Sequence, residues 1–576
     1  MRLVPAAVLV WATAAAGHLL PPVAWAALCV SFAAGAGMLL LRASSKARAE
    51  VLEGRRARSF LATLAAAFLL AAAAGGHAAA DASLGRAGAV SDAAAAETAI
   101  AADVEVTGTP RPLKKPGNSG LADQWAVPVT LIDMTFDARR VHTPARLLVL
   151  GGPGWEHAIP GQRIRTTGKL KPSGPGQSEA AVLSASSTPL AVGTPGPWQR
   201  GPADLRSRFT HAAGQLDGDA RGLLPGMVTG DTSSLDAELD TAMKSVGMTH
   251  LTAVSGANCS VILGALLLAA RSLRLNRAFT SALCLVGLGL FVLMVGPDSS
   301  VLRAAVMGAI GLAALAGGRP GRGLSLVCLA VTGLVLAQPG LATSFGFLLS
   351  VLATLGIVVT GRPIMAWFPA AVPRWAAAGV AVPLSAQAFC GPVIVLLQPQ
   401  FPAYALPANI AAAILVAPVT LLGTAAVPLV PLAPDLAAVP LAVAAAFANG
   451  VGGTARFFAR LPGAVLPWPE GAFGAATMTL FSASALAACW LAFHPDRTVG
   501  LALAAHERTV ALLNRMPPRG EVRRVPRGGR RPGLVHRPGR GRLRVCTQSS
   551  GRKPQWLLPR PHAPGPRHRT PPPGAM

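Results

Sequence analysis

The stretch Gly222–Ile262, GLLPGMVTGDTSSLDAELDTAMKSVGMTHLTAVSGANCSVI, decides how the rest of the chain is read. It joins an acidic, amphipathic segment to an apolar run that continues to Ala270, and it does so through His250, Thr252, Ser255 and Asn258. Polar groups at membrane depth cost free energy unless they are buried in protein or face water. The stretch therefore points to a chain that builds a polar path across a bilayer.

Working outward, hydrophobic residues make up 52% of the chain and charged residues 13%, with a mean hydropathy of +0.48. That profile belongs to a polytopic membrane protein and argues against a soluble enzyme. Apolar runs occur at Val4–Leu20, Val23–Leu41, Phe60–Gly76, His250–Ala270, Ala278–Val295 and Val301–Gly317. Others follow at Leu324–Ala337, Thr343–Thr360, Ala376–Leu397, Ala405–Val430, Leu436–Ala448 and Ala475–Phe493. A span needs roughly 20 apolar residues, so the expectation is about ten to twelve spans, with the shorter runs open to a re-entrant reading. The first run is not read as a removable signal, because a second follows almost at once. Ala455–Leu461, with Arg456, Arg460 and Phe457-Phe458, is expected to lie flat at the interface. The seven cysteines show no C-x-x-C spacing, which supports neither a zinc site nor a disulfide framework.

Arg42, Lys46, Arg48, Arg55, Arg56 and Arg58 crowd the loop after the second run, which places that loop in the cytoplasm. Arg271, Arg274, Arg277, Arg319, Arg322 and Arg362 fall on the same side by alternation. The segment after the third span is then extracytoplasmic. Within it, strand-like patterns at Ile100–Thr107, Trp125–Ile132, Ala145–Leu150, Arg163–Leu170 and Ala180–Ser184 alternate with Gly/Pro turns. These predict a small OB-like β-barrel. Such barrels bind single strands through basic grooves and aromatic platforms. The candidate DNA contacts are Trp125, Arg163, Arg165, Lys169 and Lys171, with Phe136 and Trp155 as further aromatics. A purely structural barrel with a solvated basic strand is the competing reading.

Two amphipathic stretches follow, Pro202–Leu216 and Asp231–Ser245, the second with Ser233 or Ser234 as the expected N-cap. Asp236, Glu238 and Asp240 then lie early in a helix, where acids oppose the positive end of its dipole. A collar helix explains them better than catalysis.

Four blocks together resemble the ComEC-type competence proteins, membrane channels for DNA uptake. They are Gly222–Asp231, His250–Gly256 (HLTAVSG), Ser300–Met307 (SVLRAAVM) and Gly346–Gly356 (GFLLSVLATLG). The run from Leu406-Pro-Ala-Asn409 through Pro418 is similar to a later core segment of that family. The resemblance covers residues 95–495. It implies passage of single-stranded DNA inward across the cytoplasmic membrane during transformation. It also implies an extracytoplasmic DNA receptor and a cytoplasmic ATP-driven motor as partners, with membrane lipid around the chain and homo-oligomers allowed. No Walker-type phosphate loop occurs in the chain, so any ATP-driven step falls to a partner. Candidate channel-lining residues are His250, Ser255, Asn258 and Arg303. On a continuous helix His250 and Asn258 would share a face at about 100° per residue, with Ser255-Gly256 unwound or facing the pore. Helix–helix hydrogen bonds are the alternative role for this set. Arg303 either lines the path or pairs structurally, with Asp298 as the candidate partner.

The expected organisation is N-terminal transmembrane helices over 1–76, the OB-like domain over 77–200, a helical connector over 201–248, the channel core over 249–495 and a basic tail over 496–576. Many relatives carry a metallo-β-lactamase-like domain with an H-x-H-x-D-H cluster. Nothing after Phe493 matches it, so no nuclease activity, no metal and no cofactor are expected. Residues 515–576 hold fifteen arginines and Lys553 against Glu521 alone. From Val525 that tail reads as disordered. It is either a genuine basic tail that binds lipid or DNA, or the out-of-frame product of a GC-rich coding region. The competing functions are transport of a small solute or ion, and a truncated relic of the DNA channel.

Overall fold

The computed structural model describes residues 3–20, 22–45, 53–86, 89–113, 124–137, 139–174, 179–252, 254–296, 299–316, 323–495, 499, 503 and 506–511. Contacts divide the chain into Met1–Leu503 and Ala504–Met576, and the fold below is that of the first unit. The basic tail from Val525 and the candidate partner Asp298 lie outside the described residues.

The N-terminal runs form α1 Val4–Leu19, α2 Pro22–Ser45 and α3 Glu53–Arg86. Small residues let these helices approach closely, as in other membrane bundles. Trp25 lies directly over Gly75, and the buried Thr13 hydroxyl donates to Ala71 O at 2.9 Å. A short helix, α4 Ala89–Ala95, leads into the sheet.

Seven strands follow: β1 Ala99–Val106, β2 Arg111–Leu113, β3 Gln124–Phe136, β4 Arg139–Gly151, β5 Arg163–Pro172, β6 Ala181–Ala185 and β7 Leu190–Ala191. All five sequence-predicted strands are present, and β3 and β4 run longer than expected. The pairing order is β1-β3-β4-β6-β5-β7, and β1 also pairs with β5. The pairings thus run in a closed circuit, in which β4 and β6 are parallel. In β5, Ile164, Thr166, Gly168 and Leu170 point inward while Arg163, Arg165, Thr167 and Lys169 point out, the period of two expected of a half-buried strand. Gly168 is required where β5 meets β6, because a Cβ there would stand 2.3 Å from Ser184 O. Val127, Leu131, Met134, Leu147, Val149, Leu170 and Leu183 fill the interior, with Val90, Ala93 and Ala94 of α4 packed against them.

The connector holds three helices rather than two: α5 Pro197–Gly214, α6 Ala220–Thr229 and α7 Ala237–Ser245. Every residue of α6 from Gly222 to Thr229 is buried, so no amphipathic pattern marks it. The α7 N-cap is Asp236, not Ser233 or Ser234, with Oδ2 accepting Leu239 N–H at 2.9 Å. A carboxylate caps as well as a hydroxyl and adds a favourable dipole interaction. Asp231 takes the neighbouring backbone instead, accepting from Ser233 N–H at 3.0 Å.

The remaining helices are α8 Gly256–Ser272, α9 Arg277–Val295, α10 Ser299–Ala316, α11 Gly323–Ala337, α12 Phe345–Gly356, α13 Arg362–Met365, α14 Arg374–Leu397, α15 Ala405–Leu432, α16 Pro434–Ala459 and α17 Gly471–Phe493. A single π-helical turn, Ile357–Gly361, joins α12 to α13. Two three-residue strands, β8 Gln400–Pro402 and β9 Val465–Pro467, pair and bring the ends of α14 and α17 together. Among the described residues eight helical stretches are long and apolar enough to cross a membrane, and four shorter apolar helices (α1, α8, α10 and α11) accompany them. Ala455–Leu461 is not a separate interfacial segment, since its first five residues complete the last turns of α16. Continuous i to i−4 bonding from the preceding apolar turns outweighs the local cluster of Arg and Phe. Leu268, Phe279, Val286, Ile414, Leu432 and Leu480 are exposed on the helices, as lipid-facing side chains are.

Candidate channel mouth and outer domain face

The sequence blocks, scattered between Gly222 and Pro418, meet in space. Asn258 Nδ2 donates to Met227 O at 2.8 Å, which ties the start of α8 to α6. Beside it, a Cβ on Gly226 would stand 2.4 Å from Thr252 O, so only glycine admits that backbone approach. Gly256 lies against Ala304 of α10, the position after Arg303. The Arg303 guanidinium lies over the Phe347 ring of α12, with 5.3 Å to its centroid. Gly423 of α15 packs on Val228 and Leu224, and Ala408, Ala412 and Val416 of the same helix share a core with Leu223 and Met227.

The run His250–Ala270 is not one helix. His250 sits in a 3-10 turn, Thr249–Leu251, and Ser255 is extended before α8 begins at Gly256. The shared-face argument for His250 and Asn258 therefore does not apply, while the break at Ser255-Gly256 is where the sequence put it. Asn258 is buried and committed to Met227 O, with Ser255 Oγ donating to its Oδ1 at 3.4 Å. Its position fits the helix–helix alternative. His250 differs, since it keeps exposed surface. Arg303 is 4% exposed in α10. A buried guanidinium over an aromatic face gains cation–π attraction worth on the order of 1–2 kcal/mol when desolvated.

On the β domain, three of the four candidate cations face carboxylates. Arg165 makes two bonds to Asp103, at 2.6 and 2.8 Å. Lys169 reaches Glu97 at 2.9 Å, and Arg163 approaches Glu105 at 3.6 Å. The Arg165 hydrogen bond holds the Asp103 carboxyl below its usual range. Lys171 is exposed at the end of the same strand. Trp125 and Phe136 pack against the domain core and Trp155 is wholly buried, so none of the three stands free as a platform.

Sequence reasoning missed two groups. Arg456 binds Asp219 through Nη2 and Nε at 2.9 and 3.1 Å, and also meets Asp236 at 3.1 Å and Glu238 at 3.2 Å. It clasps α16 to the loop before α6 and to the start of α7. Asn449 supports that clasp by accepting from Ala220 N–H at 2.7 Å. Arg206 of α5 donates to Met294 O at 2.8 Å. Burial pulls its guanidinium below the ordinary value, and Asp231 opposes the shift. Charge of opposite sign separated by more than 200 residues gives no local signal.

Taken together, helices, sheet and mouth define a polytopic helical membrane protein with a β domain inserted ahead of its main bundle. Residues 227–493 match the Competence protein family. ComE operon protein 3 of Bacillus subtilis (strain 168) is 30% identical over 145 residues, which is 25% of this chain and 19% of that protein. Over those residues the chain is thus similar to the competence proteins. No solved structure matches it. Among the described residues no group of three or more His, Cys, Asp or Glu side chains is placed to hold a metal.

Proposed function

We propose that the chain is a channel in the cytoplasmic membrane that passes single-stranded DNA inward during transformation. The observation that carries this reading is the run of contacts that joins the five sequence blocks, α6 to α8, α8 to α10, α10 to α12 and α15 back to α6. A strand with one negative charge per nucleotide needs a wet path and sparse cations, not a tight anion trap. One exposed imidazole and one guanidinium partnered by an aromatic face suit that need. Ser255 and Asn258 shape the mouth by holding the broken start of α8.

The closed strand circuit with one parallel pair supports an OB-like barrel for the β domain. Arg271, Arg274 and Arg277 between α8 and α9, and Arg362 and Arg374 between α12 and α14, support a cytoplasmic position for those loops. The β domain then lies outside, with Arg163, Arg165, Lys169, Lys171 and Trp125 as its candidate DNA face. A receptor would deliver DNA to that side, and an ATP-driven motor would draw it from the other.

Uptake of labelled DNA by cells carrying the wild-type gene, a clean deletion, and the deletion complemented with this 576-residue chain tests the reading. Label that is internalised, lost on deletion and restored by the chain supports it. Unchanged uptake on deletion removes it.

A further inference from the structure

We infer that Thr420 and Thr424 of α15 line the route of the strand inside the bundle and offer it uncharged hydroxyls, an inference that rests on the DNA-channel reading above. Both lie within the apolar span Ala405–Leu432. Thr420 is wholly buried, and neither hydroxyl meets a hydrogen-bond partner among the described residues. Other helical threonines return the hydroxyl to the carbonyl one turn back, as Thr229 does to Pro225 O at 2.9 Å, Thr354 to Ser350 O at 2.9 Å and Thr454 to Gly450 O at 2.7 Å. At Thr420 and Thr424 the corresponding carbonyls are passed over. A buried hydroxyl without a partner is costly, and lipid has no group to relieve it.

The packing of α15 sets the side and the depth of this pair. Val416 and Val427 are buried in the core shared with α6, and at about 100° per residue they form one stripe with Thr420 and Thr424. The exposed Ile414, Leu421 and Ala425 fall about 100–140° round from Thr420. The hydroxyls therefore look into the bundle rather than into lipid. Gly423, on the same turn, packs on Val228, which follows the Met227 whose carbonyl holds Asn258, and α15 also packs on α8. The pair thus lies at the depth of the break before α8. Pro428 adds to it, because it has no N–H to give to Thr424 O.

A closed-off water would also satisfy two hydroxyls one turn apart. The charge pattern favours the route of the strand instead. Helix α15 carries no charged residue, and its other polar side chain, Asn409, is spent on Ala405 O at 2.8 Å. What the helix presents beside the break at Ser255-Gly256 is therefore a pair of neutral donors. Hydroxyls can donate to phosphate oxygens, and neutral donors release an anion more readily than cations do. A polyanion in transit needs both properties.

The test places cysteine at Thr420, at Thr424 and at the exposed Ile414, in a full chain whose seven native cysteines are replaced by alanine and which still restores DNA uptake. A sulfonated thiol reagent, which travels only through water, should modify Thr420→Cys and Thr424→Cys and spare Ile414→Cys. DNA entering the cell should slow both modifications. Thr420→Val, which swaps the hydroxyl for a methyl, should lower uptake about 2- to 12-fold, the range one net hydrogen bond implies. Protein level should not change, and Thr420→Ser should keep uptake near wild type. No modification at either position, in chains that take up DNA, overturns the inference and leaves the channel reading intact. Modification that DNA does not slow, with uptake unaltered in Thr420→Val, assigns the hydroxyls to local water and also overturns it. Wild-type chain that fails to restore uptake to a deletion strain contradicts the channel reading itself.

Discussion

The Arg303 guanidinium carbon lies 5.3 Å from the centre of the Phe347 ring, and that ring also meets Trp11, with centroids 4.8 Å apart. Trp11 is fixed in turn by donating to Ala342 O at 2.9 Å. A cation within the bundle is thus seated on an aromatic ring of α12 that α1 packs against. Arg303→Gln removes the charge and the cation–π contact, worth about 0.5–2 kcal/mol. DNA uptake should fall at least tenfold with the protein still inserted in the membrane, and Arg303→Lys should recover only part of it because a guanidinium is planar and an ammonium is not. Uptake measured against membrane-fraction immunoblots checks this.

The Gly226–Thr252 approach makes a second prediction. Gly226→Ala places a methyl 2.4 Å from Thr252 O, and backbone on both sides leaves no flexible group to yield. The expected loss is about 2–4 kcal/mol, in the range of overpacked cores. Asn258→Ala should cost less, about 1–2 kcal/mol, for one buried hydrogen bond. Thermal unfolding of the purified chain in detergent ranks the two.

How far the sequence led is clear at these same residues. The apolar runs and the five β-strands were legible because periodicity and length report directly on burial. The break at Ser255-Gly256 was legible too, since polar residues interrupt an apolar run. The role of Asn258 was legible only as the helix–helix alternative, because a helical wheel takes His250 and Asn258 as one helix and does not foresee the 3-10 turn at His250 or the extended Ser255. Helix α6 itself hid inside the first block because it is buried on all sides. The partners of the basic strand β5 were not legible either, because they come from cross-strand register, which sets Asp103 opposite Arg165.

The Arg456 clasp should be directional. Bidentate pairing with Asp219 favours Arg over Lys, so Arg456→Lys should destabilise the connector by about 1 kcal/mol and Arg456→Ala by about 1–3 kcal/mol, since carboxylates half-shielded from water lose their partner. Hydrogen–deuterium exchange over Asp219 to Ser245 should rise in that order. Equal exchange in all three proteins would leave the clasp without a holding role.

The acid response of the β domain follows from its pairs. Arg165 holds the Asp103 carboxyl below its usual range, and Arg140 with His142 does so for Asp133. Depressed carboxyls give stability that is present above the unfolded value, about 3.9, and lost as pH falls through the folded value. The domain should therefore hold from neutral pH to about 4 and loosen below it. Asp103→Asn should be less stable than wild type at pH 7, and the gap should close in acid. Unfolding midpoints of the two proteins across pH 2–7 (a range set by those carboxyl values) measure it.

The central claim is that incoming DNA passes the mouth beside His250. A photo-cross-linking amino acid placed at His250 during uptake, compared with one at the exposed, lipid-facing Leu268, tests this most directly. The account predicts that the strand cross-links at position 250 and not at 268, and only while DNA is entering the cell. Cross-links at neither position, in cells that internalise DNA through this chain, would contradict it.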